Sequence, residues 1–537
     1  MQHRQPRWWQ TGVVYEIYPR SFADGDGDGT GDLAGIMSRL DYLAWLGVDA
    51  IWIAPFYPSP MADFGYDVAN YAEIDPLFGS LADFDALLAA AHERGIRVLV
   101  DYVPNHTSDQ HPWFRESRSS RDNPKRHWYV WRERGADGGP PNNWISMFAG
   151  SAWAWDEATE EFYLHTFLKE QPDLNWRNPE TRAAMFDIAR FWLDRGVDGF
   201  RIDVAPMVMK DPELRDNPPN PSSAEAHRLG AWAQQLHVND HAHPDMHELY
   251  REFRRILDSY PGDRVSIGEL HHPDYDTWAK YYGERQDEIH VPFNFHLAYS
   301  AWTADAVRAA VEGVQGVLPP GAWASWVLGN HDQPRFASAR RAGRDQAKAG
   351  MMLLLTLRGT PTIYYGEEIG MVDVPVSTAD SRDPVERREP GRGRDPERSP
   401  MQWDASPNAG FTAPGATPWL PLAPDAAFVN VAGQAEDPDS ILILTRRLIA
   451  LRRDHPVLLL GDFERFGPTP DGTFAFRRVS ADGRLTVALN LTGEGRSVPG
   501  TGAGRVLIGT HRERDGTTVA ADLALGPNEA VVVEAAG

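Results

Sequence analysis

Cysteine is absent from the 537 residues. That excludes a disulfide framework, a thiol nucleophile and a Cys-ligated zinc. Positive charge is short: 53 Lys and Arg face 76 Asp and Glu, for a formal net charge of −23. A surface of that sign repels phosphate backbones and anionic lipid, so neither nucleic acid nor a membrane is the expected partner. Long apolar runs are missing too. The longest, around 351–357, is far short of the roughly 20 residues that a membrane span needs. The N-terminal MQHRQPRWWQ has no apolar stretch after its charges, as a secretory signal would. A cytoplasmic protein is expected. In that compartment the sequons at Asn105 and Asn490 go unused.

What is present is ordinary globular composition, with 42% hydrophobic and 24% charged residues, which rules out wholesale disorder. Eight β-rich runs stand at 13–18, 50–54, 98–103, 199–203, 265–269, 289–293, 326–328 and 362–365. Amphipathic stretches such as 81–94 and 179–195 lie between them. The alternation argues for a parallel sheet, and eight units argue for an α/β fold of the closed (β/α)8 type, a TIM barrel. About 95 residues separate the third run from the fourth, and they hold Trp113, Trp128, Trp131, Trp144, Trp153, Trp155 and Trp176. That is too long for one loop, so a small domain inserted after the third strand is expected. Segment 372–404, rich in Pro, Arg, Asp and Glu, reads as a long loop above the barrel mouth. Beyond about 455 the pattern turns to alternating apolar and polar residues, with hairpin signals at Asp471-Gly472 and Asp482-Gly483. The expected domains are a barrel over 1–103 and 175–455, an insertion over 104–174, and a C-terminal antiparallel β-domain, a sandwich, over 456–537.

Active sites of such barrels lie at the C-terminal strand ends. Asp203 ends Gly-Phe-Arg-Ile-Asp, Glu269 ends Ser-Ile-Gly-Glu, and Asp332 follows Leu-Gly-Asn-His. Arg201, His106 and His331 stand beside them. Three acids facing one cavity suit glycosidic cleavage, in which one carboxylate attacks the anomeric carbon and one carboxylic acid protonates the leaving oxygen. For a single acid, capping a helix or pairing with a buried arginine is as good an explanation; for three in one register it is a poor one.

The blocks GVDGFRIDV (196–204), SIGEL (266–270), LGNHDQPR (328–335) and DYVPNHT (101–107) resemble the four sequence blocks of the α-amylase family, glycoside hydrolase family 13. VVYEIYPRSFADGDGDGTGDLAGI, DFGYDV (63–68), QPDLNWRNPE and GRDPERSPMQWD (393–404) resemble its α-glucosidase and oligo-1,6-glucosidase branch. The resemblance runs from Trp8 to about Trp419. It implies Asp203 as nucleophile, Glu269 as general acid/base and Asp332 as transition-state stabiliser. It implies that Arg201 keeps Asp203 ionised, and that His106 and His331 bond the bound sugar. Tyr66 would stack on that sugar. Asp63 with an arginine would grip the non-reducing end of a terminal glucose, the arginine being Arg398, with Arg394 as the alternate. Phe148, Phe167 and Phe295 are candidate pocket walls.

Asp24, Asp26, Asp28, Thr30 and Asp32 place oxygens at alternate positions of a glycine-rich loop. That spacing suits a hard cation wrapped by a tight turn, and the resemblance implies a structural Ca²⁺ here. No organic cofactor is indicated. Val204, which follows the nucleophile, leans toward α-1,6 linkages within the family, while segment 207–236 is closer to bacterial α-glucosidases of mixed linkage. The expected activity is a retaining exo-α-glucosidase acting on short α-glucosides. A glucosyl-transferring enzyme or a trehalose or sucrose isomerase is the alternative on the same site. The oligomeric state stays open.

Overall fold

The computed structural model describes residues 6–222, 229–339 and 341–536. Eight parallel strands form one sheet: β1 (Val14–Ile17), β2 (Ala50–Ile53), β3 (Arg97–Tyr102), β4 (Gly199–Ile202), β5 (Val265–Leu270), β6 (Val291–Asn294), β7 (Ser325–Val327) and β8 (Thr360–Tyr364). Backbone ladders run in the order β7-β8-β1-β2-β3-β4-β5-β6. A side chain bridges the remaining seam: the Asn294 amide donates to the Ser325 carbonyl. The sixth strand begins two residues later than its sequence pattern suggests. Ile289 is occupied in a turn, where its N–H donates to the Tyr281 carbonyl at 3.0 Å.

Strand alternation sorts the side chains into two apolar sets. Val14, Ala50, Trp52, Leu99, Val265, Ile267, Val291, Phe293 and Val327 fill the barrel interior. Tyr15, Ile51, Val98, Val100, Phe200 and Ile202 join the larger core with helix residues such as Leu87, Trp192 and Phe253. The inward rows change character toward the C-terminal strand ends. Asp101 lies opposite Arg201, Arg201 opposite Ile267, and Glu269 opposite Phe293. The floor of the barrel is thus apolar and its mouth is ionic.

The helices carry local start and stop signals. Over Leu81–Glu93, Ser80 and Asp83 form a capping box. The helix Pro179–Arg195 begins with an Asn178 cap and Pro at its first position, and stops at Gly196 with φ 107°.

After β3 the chain leaves the barrel. It forms the helix Pro112–Ser119 and an antiparallel three-stranded sheet of Trp131–Arg132, Glu161–Leu164 and Trp153–Asp156. The tryptophans build the small core: Trp131 stacks on Phe114 at 5.6 Å, and Trp144 and Trp153 pack with Phe162 and Leu164. The segment after β8 is not all loop, since it contains the helix Pro384–Arg388 and the 3₁₀ turn Asp395–Arg398. The C-terminal region forms a six-stranded antiparallel sheet faced by a two-stranded one, Arg496–Val498 with Leu523–Leu525. Ala475, Ala488, Val498, Leu523 and Val531 pack together between them. Arg478 donates to the carbonyls of Thr356 and Gly461, both at 2.7 Å, tying this region to the barrel. Among the described residues, no helix is long and apolar enough to cross a membrane.

Candidate active site

A cavity of about 910 Å³ opens at the C-terminal strand ends, and Asp203, Glu269 and Asp332 all line it. At its floor, Arg201 joins three carboxylates. Its Nη1 lies 2.7 Å from both Asp101 and Asp203, and its Nη2 lies 2.6 Å from Glu269. All four side chains are buried. One guanidinium cannot neutralise three carboxylates, so they titrate as one coupled group. Burial pushes Asp203 well up, with Arg201 opposing and Glu269 and Asp101 adding to the rise. Asp101 is raised to about 6, chiefly by burial, against Arg201. Burial also works against ionisation of Glu269, but Arg201 and His271 hold it at about 2.

Glu269 has further partners. The Val204 N–H donates to its Oε2 at 2.9 Å, and His271 Nε2 lies 2.7 Å from its Oε1. Val204 adopts φ 36°, in the left-handed region that a β-branched residue avoids at a cost of roughly 1–3 kcal/mol. That turn aims its amide at the carboxylate.

Asp332 sits between two arginines: Arg398 Nη2 at 2.6 Å and Arg394 Nη1 at 3.2 Å. Against the cost of burial, the surrounding positive charge holds its carboxyl far below the ordinary range. His331 places Nδ1 2.6 Å from Glu16 and Nε2 2.8 Å from the Tyr66 hydroxyl. Tyr66 stacks on His331 with centroids 5.5 Å apart and planes 9° apart. Burial lowers His331 to about 3 and His106 to about 4, so both are neutral at pH 7. His106 Nε2 meets the Gln171 amide at 3.0 Å, and that amide also donates to Asp63 at 3.1 Å.

The arginine that faces Asp63 is Arg394, not Arg398. Arg394 Nη2 lies 2.7 Å from Asp63, and its Nε lies 2.8 Å from Asp383. Arg394 lines the cavity. Arg398 instead turns beneath it, donating to the His331 carbonyl at 2.8 Å as well as to Asp332. The 3₁₀ turn Asp395–Arg398 separates the two side chains in this way. Phe148 and Phe167 line the cavity. Phe295 stays out of it and stacks on His271 at 4.2 Å.

Asp101, Glu16, His271, Gln171 and Asp383 escaped the sequence reading. Asp101 was the most accessible, being the inward residue of its strand directly opposite Arg201. The others hold their places through contacts between distant segments, for which the sequence has no local signal.

In the acidic loop, the carboxylate oxygens of Asp24, Asp26 and Asp28 lie within 4.8 Å of one another. Asp32 does not join them. Its oxygens accept from the Gly35 N–H at 2.6 Å and the Gly25 N–H at 3.0 Å, capping the helix Leu33–Ser38. Thr30 donates its N–H to Asp28 at 2.7 Å. Three converging carboxylates fit a hard cation.

Comparison with known proteins agrees with this geometry. The family model described as alpha amylase, catalytic domain, matches residues 16–461. A probable alpha-glucosidase of Rhizobium meliloti (strain 1021) is 43% identical over 503 residues, covering 91% of this chain and 90% of that protein. An oligo-1,6-glucosidase of Parageobacillus thermoglucosidasius is 40% identical over 523 residues, with 90% of each chain covered. The crystal structure of an alpha-glucosyl transfer enzyme superposes with a TM-score of 0.93 at 40% identity, covering 99% of this chain and 100% of that one. A match across this much of the chain, over a barrel whose mouth gathers three buried carboxylates on one arginine, decides the family: the chain belongs to the α-amylase family of glycoside hydrolases.

Proposed function

We propose that the protein is a retaining exo-α-glucosidase that releases α-glucose from the non-reducing end of short α-glucosides. The observation that carries this reading is the single guanidinium bridging Asp203 and Glu269, at 2.7 and 2.6 Å. So short a bridge fits the close carboxyl pair, about 5–5.5 Å apart, of retaining enzymes. Asp203 would attack the anomeric carbon, and Glu269 would protonate the leaving oxygen and then deprotonate water. The coupled group must carry its proton on Glu269 when the bond breaks. A sugar supports that shift, because the electron-poor anomeric carbon favours a charged Asp203 and the leaving oxygen favours a protonated Glu269. Asp332, ionised between its arginines, would bond the sugar hydroxyls.

Exo action is supported by the Asp63–Arg394 pair, which stands on the cavity wall with Phe148 and Phe167. Such a pair closes the site around one terminal glucose. Val204 supports an α-1,6 preference, with α-1,4 bonds as further substrates. A transferring enzyme or an isomerase is the second reading, favoured by the structural likeness to an alpha-glucosyl transfer enzyme. Asp24, Asp26 and Asp28 would hold a structural Ca²⁺ away from the chemistry. The lack of cysteine suits a cytoplasmic location.

Mass spectrometry of the enzyme quenched during turnover of an activated α-glucosyl fluoride tests the reading. A glucosyl adduct on the peptide carrying Asp203 is expected, and an adduct on another residue would contradict it. Metal analysis after exhaustive dialysis should retain Ca²⁺; metal-free protein of unchanged stability would remove the ion.

A further inference from the structure

The row of inward residues on β5 does not end at Glu269. His271 follows two residues later and reaches the same cavity. Three contacts fix its ring. Nε2 lies 2.7 Å from Glu269 Oε1, and Nδ1 meets the Tyr299 hydroxyl. Phe295 stacks on the imidazole at 4.2 Å and 19°, and stacks in turn on Tyr299 at 5.4 Å and 19°. Glu269 is gripped at its other oxygen by the Val204 N–H at 2.9 Å and by Arg201 at 2.6 Å. Both carboxylate oxygens are therefore held, one from the β4 side and one by His271.

We propose that His271 is a positioning residue for Glu269: its imidazole donates the Nε2–H to Oε1, and the Tyr299 hydroxyl at Nδ1 holds the ring in place. The proposal rests on Glu269 being the acid/base. The assignment of hydrogens follows from the chemistry of the groups. A carboxylate can only accept, so the nitrogen facing Glu269 carries a hydrogen.

The consequence is a division of labour between the two half-reactions. A donor on the carboxylate favours its charged form. The bond stabilises the carboxylate that forms as Glu269 gives its proton to the leaving oxygen in the first step, and lowers its basicity toward water in the second. It also holds Oε1 in one direction through both. The other groups around Glu269 are Arg201 and Asp203 from β4, Asp101 from β3 and Asp332 after β7. On its far side His271 feels His241, which burial keeps neutral and which therefore adds no charge. His271 is the group next to Glu269 that can be removed without breaking the arginine cluster.

The test is the pH profile of kcat on an unactivated α-glucoside for the wild type, His271→Leu, His271→Gln and Tyr299→Phe, each checked by thermal melting. The alkaline limb of kcat reports loss of the proton that the substrate complex carries on Glu269. His271→Leu should move that limb up by about one pH unit, since a donor to the charged form is lost. It should also lower kcat more than it changes KM. His271→Gln keeps an N–H donor and should restore the wild-type limb. Tyr299→Phe should move the limb the same way by less. A folded His271→Leu with an unmoved limb overturns the proposal, as does a His271→Gln limb displaced as far as that of His271→Leu. If His271→Leu does not fold, an unmoved limb in Tyr299→Phe overturns it. Glu269→Gln, measured alongside, separates the two claims. Full turnover there overturns the acid/base assignment and this proposal together. Lost turnover with an unmoved His271→Leu limb overturns only the role of His271.

Discussion

Arg394 and Arg398 lie four residues apart in one arginine-rich turn and both reach Asp332, yet their other partners differ. Arg394 bonds Asp63 and Asp383 on the cavity wall, whereas Arg398 sits beneath Asp332 and holds it through one oxygen. The two should fail differently. If Arg394 grips a terminal glucose as proposed, Arg394→Met should raise KM about tenfold to a hundredfold, the equivalent of ~1.5–3 kcal/mol for a bond to a charged group. Arg398→Met leaves the wall intact and loosens Asp332, so its loss should fall mainly on kcat. Steady-state kinetics on one disaccharide read both. Equal effects on KM would contradict the division. The family resemblance pointed to this turn and to Arg398 first, with Arg394 as the alternate; the structure puts Arg394 against Asp63. The 3₁₀ turn that points one side chain into the cavity and the other below it has no signature beyond Asp-Pro.

At the scale of elements, strand ends were the legible part. Asp203 and Glu269 each follow an apolar run whose period of two already fixes the face they take. Capping residues were harder to read. Asp32 looks like a fifth oxygen in the acidic loop, but its carboxylate caps the helix Leu33–Ser38. We expect Asp32→Asn to keep most of the stability and Asp32→Ala to lose about 1 kcal/mol, the usual worth of such a cap, with chelator present or absent. Urea melts would show it, and a loss seen only with Ca²⁺ would make Asp32 a ligand instead. Just after β8, Glu367 is a second buried acid. It accepts the Tyr364 N–H at 3.1 Å, and its Oε1 has no hydrogen-bond partner among the described residues. Burial raises it to about 8 from a reference of 4.5. Between those values the unfolded chain has lost a proton that the fold retains, so stability falls as pH rises through this window. Glu367→Gln should therefore match the wild type near pH 4.5 and melt about 2 °C or more higher at pH 8. Equal melting at both pH values would contradict the assignment.

At the scale of the molecule, the architecture was readable because eight strand–helix units, a tryptophan-rich gap and a tail of alternating residues each have their own period. The pocket was less so. It depends on segments more than a hundred residues apart meeting at one place: Glu16 on His331, Gln171 on Asp63, Arg394 on Asp63. No local pattern records such meetings, and only the resemblance to a known family brought Asp63 and the arginine turn together in advance. The barrel floor is apolar while the mouth gathers Asp101, Asp203 and Glu269 on Arg201. The central claim is that this cluster performs a double displacement at Asp203. Its most direct test is the NMR time course of isomaltose cleavage, read before mutarotation mixes the anomers. The account predicts that the first free sugar released from the non-reducing end is α-glucose. β-Glucose appearing first would mean direct attack by water, and would contradict Asp203 as the nucleophile.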